Sequence, residues 1–180
     1  PLTAGLDRVE DVSFEALPLG ELMPAYLAGA YGCALLPPLE ALHYVPARLV
    51  PGLGIVQCAP GGEVGHESLA STARLIHAER HGGIDGAFEV SGDASTTDLF
   101  VEWEALTGLP LVLGVWATSA CAPVARLRAL LSRAAQDGEA ERRAGFEYRL
   151  GSDAMESVRV MLRLGVKHGL CPAGVSLRLC

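Results

Sequence analysis

An α/β fold is the class this sequence predicts, and three observations carry it. Short apolar runs alternate along the chain with longer amphipathic stretches, the periodicities of strands and helices in turn. Half of the 180 residues are hydrophobic and 19% are charged, a balance that favours a packed core over disorder. Glycines and prolines cluster between the runs, as at Pro37-Pro38, Pro60-Gly61-Gly62 and Gly82-Gly83. A chain of this length suffices for one core or for two small lobes sharing a hinge.

Taken in order, Val12 to Leu17 reads as a first strand and Leu19 to Ala28 as a helix stopped at Gly29, with Pro24 restricting where it begins. Cys33 to Leu36 is a short buried strand ended by two prolines. Leu39 to His43 is a short helix, and Gly54 to Cys58 the next strand. Ala59 to Gly65 is the predicted hinge. Ser68 to Arg80 reads as a helix, Gly86 to Val90 as a strand, and Asp98 to Thr107 as a helix with Asp98 at its N-cap and Gly108 as its stop. Leu111 to Trp116 is an apolar buried strand. Val124, Leu127, Leu130, Leu131 and Ala134 share one face of a helix ending near Gly138. Met155, Val158, Leu162 and Val166 do the same for Ser152 to Lys167.

Charge and cysteine usage exclude several classes. The formal net charge is -7, without the basic patch that a binder of nucleic-acid backbone carries. Thirteen of the fourteen basic residues are Arg, a type suited to bidentate carboxylate recognition. Cys33, Cys58, Cys121, Cys171 and Cys180 are odd in number and contain no C-x-x-C pair, which argues against a structural zinc or a disulfide framework. The most apolar stretch, Leu109 to Val124, is broken by Pro110, Gly114 and Pro123, so no membrane helix is expected. No charged start followed by an apolar run is present, so no signal peptide is expected and the cytoplasm is the predicted compartment. The chain opens at Pro1 rather than Met, and residues upstream are expected.

Candidate chemistry has a plain structural reading beside it in each case. His77-Ala-Glu79-Arg-His81 puts two imidazoles at i and i+4, a spacing of zinc ligands on a helix. Its Glu stands two positions after the first His instead of one, and no third ligand is evident, so an exposed charged helix end is the favoured reading and no metal is expected. Gly61-Gly62-Glu-Val-Gly65 lacks the order of a dinucleotide fingerprint and the Lys-Ser/Thr of a P-loop, which leaves a hinge turn. There is no Gly-x-Ser-x-Gly elbow. Ser68, Ser71 and Thr72 open a predicted helix, where free N–H groups and hydroxyls suit a carboxylate as well as they suit ordinary capping. Asp93, in Gly92-Asp93-Ala94, caps a helix, orders the loop or points into a cleft, and capping is the simplest of these.

Three segments read in order resemble one family. Ala34-Leu35-Leu36-Pro37-Pro38-Leu39-Glu40 is similar to its signature Ala-Leu-x-Pro-x-x-Glu, with Gly32-Cys33 replacing the usual preceding Asp. Gly92-Asp93-Ala94 resembles its Gly-Asp-Ala turn. The longest match joins Asp98-Leu99, Glu102-Trp103, Thr107-Gly108-Leu109-Pro110 and Val115-Trp116-Ala117. The family is the chorismate dehydratase of the futalosine route to menaquinone. Tyr148, Leu150, His168-Gly169-Leu170 and Leu177 resemble its closing strand, helix and tail.

The resemblance implies a two-lobed fold like a type II periplasmic binding protein, with a reduced second lobe. Lobe 1 would comprise residues 1-62 and 118-180 and lobe 2 residues 63-117, with the ligand in a cleft between them. It implies a lyase that dehydrates chorismate to 3-(1-carboxyvinyloxy)benzoate without metal or organic cofactor. Pro37, Ser71, Thr72 and Asp93 are the implied substrate-binding residues. The catalytic group is not assigned, because the family's Ser-Tyr-Leu-Asn stretch would precede Pro1, and the oligomeric state is not assigned either. Trp103 and Trp116 are read as core. Two further readings keep the fold: a binder of small carboxylates without chemistry, and the related dihydroxynaphthoate synthase.

Overall fold

A computed structural model of the protein describes residues 15–43, 48–60, 69–83, 98–118, 123–140, 145–175 and 177–179, with the side chains of 137–140 excepted. The mixed α/β class holds, with six helices and a four-stranded sheet among the described residues.

Strand β1 (Cys33–Leu36) forms where four apolar residues run into Pro37, which stops the strand and lets a helix begin. That helix, α2 (Pro38–His43), starts one residue earlier than the sequence predicts, because proline is suited to a first helical position that has no donor to satisfy. Before β1, α1 (Leu19–Leu27) buries Met23 and Tyr26 and lies within the predicted span, with Pro24 inside it. Glu15, Ala16 and Leu17 have no strand structure, and the rest of the first predicted strand lies outside the described residues.

Strand β2 (Arg48–Gln57) is twice as long as the predicted Gly54 to Cys58 run, since it continues through Pro51 and Gly52. Such residues are tolerated where pairing is interrupted, and the register between β2 and its neighbour β3 (Leu111–Thr118) does shift between Leu49 and Gly54. Strand β4 (Phe146–Arg149) completes the sheet in the order β1-β3-β2-β4. All three pairings are antiparallel, so the alternation of helix and strand does not produce a parallel sheet here. Glycine is required where β2 crosses β3: a Cβ on Gly54 would lie 2.5 Å from the Gly114 carbonyl oxygen and 2.9 Å from Leu150.

Helices α4 (Leu99–Thr107) and α6 (Ser152–Lys167) cover the sheet together with α2, and α3 (Ala70–His81) packs on these three helices. The ends of α4 fall where its local signals put them. Asp98 accepts a hydrogen bond from Phe100 N at 2.9 Å, and Gly108 takes the left-handed conformation with φ 70° that closes the helix. Along α6, Ala154, Ser157, Val158, Met161 and Gly165 are buried on one stripe. That stripe meets α4 through a buried hydrogen bond from Trp103 Nε1 to Ser157 Oγ at 3.0 Å. Trp103 is core, as predicted, at 0% exposure. Trp116 differs: it is half-buried and packs against a second, smaller cluster of Val50, Leu53, Leu131 and Ala135. Helix α5 (Val124–Ala140) supplies Leu131 and Ala135 to that cluster and runs two residues past Gly138. The predicted strand Gly86 to Val90 lies outside the described residues. Among the described residues no helix is long and apolar enough to cross a membrane.

Candidate functional site

The side chains that the sequence singles out converge most closely where α2 meets α3. Pro37 is buried just ahead of α2, and its carbonyl accepts the Ala41 N–H at 2.9 Å. Within α2, Pro38, Leu39, Ala41 and Leu42 are all buried, which carries the intervening Glu40 into partly buried surroundings. Ser71, in the first turn of α3, donates its hydroxyl hydrogen bond to Glu40 Oε1. Two stretches 31 residues apart are joined by that one bond. The other carboxylate oxygen, Glu40 Oε2, is buried and has no hydrogen-bond partner.

Helix α6 sets the distance of approach. A Cβ on Gly165 would lie 3.0 Å from both Leu39 Cδ2 and Cys171 Sγ, so its absence lets α2 and the turn after α6 close on the helix. The Gly165 carbonyl then accepts the N–H groups of Leu170 and Cys171 at 2.8 and 3.0 Å. Cys171 Sγ lies 4.0 Å from the Leu39 carbonyl, and His43 Nδ1 is 3.2 Å from the Leu170 carbonyl. Burial, and then the negative charge of Glu40, push the Cys171 thiol above its ordinary value. That thiol is therefore held protonated and makes a poor nucleophile.

Thr72 is placed differently from Ser71. It is 2% exposed and belongs to the buried face of α3 with Leu75 and Ile76. Asp93 lies outside the described residues. Of the four implied ligand contacts, the structure thus puts Ser71 at the α2–α3 junction, Pro37 buried just ahead of α2, and Thr72 in the adjoining core. Glu40 stands in the quoted signature but not among the predicted contacts. Its signal is an acidic residue within a helix whose other residues are nearly all apolar. Gly165 and Cys171 carry a weaker signal, a glycine inside a helical pattern and a cysteine just beyond it.

The far end of α3 holds a second polar group. Glu79 accepts from Lys167 Nζ at 2.8 Å through both carboxylate oxygens and contacts His168 Nε2 at 2.7 Å. Those bonds, Lys167 first and His168 second, hold the Glu79 carboxyl below its ordinary value. Arg80 pairs with Glu102 of α4 close by. The His77 and His81 rings stand with centroids 4.6 Å apart, and among the described residues no three metal-ligating side chains come together. These groups tie α3 to α4 and α6, and they form a charged helix end that is only partly exposed, with Arg80, His81 and Lys167 exposed and His77, Glu79 and His168 half-buried.

No family model matches this chain, and no curated protein matches it either.

Proposed function

We propose that the protein is a lyase that dehydrates chorismate to 3-(1-carboxyvinyloxy)benzoate, acting in the cytoplasm within a menaquinone route. On this reading the substrate lies where α2 meets α3, within one core, since β3 of the predicted second lobe (residues 63-117) pairs with β1 and β2 of the predicted first. The observation that supports it is the meeting of Glu40, from the Ala-Leu-x-Pro-x-x-Glu signature, with Ser71 from the helix start that the resemblance assigns to carboxylate binding.

The chemistry asks for little beyond such a junction. A ring C–H bond and the adjacent C–OH bond break, water leaves, and the ring becomes aromatic, which supplies the driving force. The protein's task is to hold two carboxylates in one orientation and exclude solvent. A serine hydroxyl in the first turn of a helix is suited to the first part, because the hydroxyl and the helix field both favour an anion.

The test is direct. Chorismate incubated with the purified protein is expected to disappear with matching appearance of an aromatic product, followed by ultraviolet absorbance and mass spectrometry. No conversion by intact protein contradicts the lyase. Calorimetric binding without conversion identifies a carboxylate-binding module instead.

A further inference from the structure

We infer that Glu40 is a resident carboxylate that occupies the ligand carboxylate's place at Ser71 and is displaced when the ligand binds. The inference rests on the proposed reading in one respect, that Ser71 contacts a substrate carboxylate. The rest follows from hydrogen-bond stoichiometry. A serine hydroxyl has one proton to donate. In this structure it is given to Glu40 Oε1. An incoming carboxylate therefore takes that proton only by removing Glu40 from it.

Two features make the exchange possible. A carboxylate has room for about four hydrogen bonds, yet among the described residues Glu40 receives one, and its Oε2 is buried without any. Among the described residues no ion pair reaches it, and the thiol of Cys171, on which its charge acts, is held in its neutral form. Glu40 is thus retained at this position weakly. Meanwhile α3 has no acidic residue in its first turn, and Leu69 at its N-cap has no side-chain acceptor to offer. The start of α3 favours a negative charge, and Glu40 supplies it from α2 until another anion does so. Two carboxylates at one donor repel each other, so the exchange is one for one. Glu40 on this account sets affinity and selectivity as a built-in competitor.

The measurement is a double-mutant cycle on chorismate binding by calorimetry, using wild type, Glu40→Ala, Ser71→Ala and the double variant, each checked for folding by its thermal transition. Glu40→Ala is expected to tighten binding at least tenfold and Ser71→Ala to weaken it at least tenfold. The double variant is expected to bind like Ser71→Ala alone, because the competitor matters only while its donor is present. Glu40→Gln, which keeps the shape and loses the charge, gives a smaller gain and stands in if Glu40→Ala does not fold. Wild-type binding with no gain on removing Glu40, or a gain that persists without Ser71, overturns the exchange and leaves the proposed function intact. Absence of chorismate binding by every variant removes the proposed function itself.

Discussion

Two glutamates stand at opposite ends of α3, and they are treated in opposite ways. At the C-terminal end Glu79 is bonded to Lys167 and His168, and both of its oxygens are used. At the N-terminal end Glu40 reaches in from α2, receives one hydroxyl from Ser71, and leaves Oε2 buried and bare. A buried acceptor without a partner costs about 1–3 kcal/mol, whereas a satisfied pair at a partly exposed helix end contributes about 0–1 kcal/mol. The difference teaches where the fold is complete and where it is not. The Glu79 end and the Trp103–Ser157 bond are scaffold. The Glu40 end is the part of the described structure left under-satisfied, and a buried group left so in a native fold calls for a reason.

The largest expected effect lies in the scaffold. Trp103→Ala removes an indole that is 0% exposed and leaves Ser157 without its donor. A loss of about 3–5 kcal/mol is expected in denaturant unfolding. A loss below 1 kcal/mol would show that α4 and α6 are not packed through this ring.

Next comes the clamp at the C-terminal end of α3. The Glu79 carboxyl is lowered from its ordinary 4.5 in the folded state, first by Lys167 and then by His168. Its contribution is therefore fully present above the unfolded value and is lost as pH falls through the folded one. Glu79→Gln is expected to cost about 0.5–1 kcal/mol near neutral pH and to flatten that part of the acid limb. Unfolding free energies measured between pH 7 and pH 3 for both proteins check this. An unchanged acid limb would mean that the three side chains meet without coupling.

The smallest effect on stability is expected at the other end. Replacing both partners there, Glu40→Met with Ser71→Ala, removes the bare oxygen and the donor together. Paired apolar replacement of this kind is close to neutral or stabilising, so the double variant should lie within about 1 kcal/mol of wild type. A loss of several kcal/mol would make the Glu40–Ser71 bond a structural necessity and erase the contrast with Glu79.

What the sequence made legible was local. Asp98 and Gly108 bounded α4 correctly because an N-cap side chain and a left-handed glycine act within a turn of the helix they close. The stripe Met155, Val158, Leu162 and Val166 marked the extent of α6, but of the four only Val158 is fully buried, and the buried face is centred one residue earlier, on Ala154, Ser157, Met161 and Gly165. The extent of β2 was not legible. Pro51 and Gly52 look like a strand's limit, and only the register shift against β3 explains how the strand passes them. The candidate site was half legible for a similar reason. Pro37 and Ser71 stood out by residue type and position, but the role of Glu40 depends on Gly165 admitting α2 to α6, a contact between segments far apart in the chain. Thr72 and Ser71 are adjacent and chemically alike, and only tertiary packing decides that one faces the core and the other the junction.

The most direct test of this contrast is amide hydrogen exchange with and without saturating chorismate. The account predicts that protection changes concentrate in residues 38–43 and 69–75, where Glu40 gives way at Ser71, while residues 100–106 and 154–161 around Trp103 and Ser157 exchange as before. Changes confined to the Trp103 seam, or none at the α2–α3 junction in protein that binds chorismate, would contradict it.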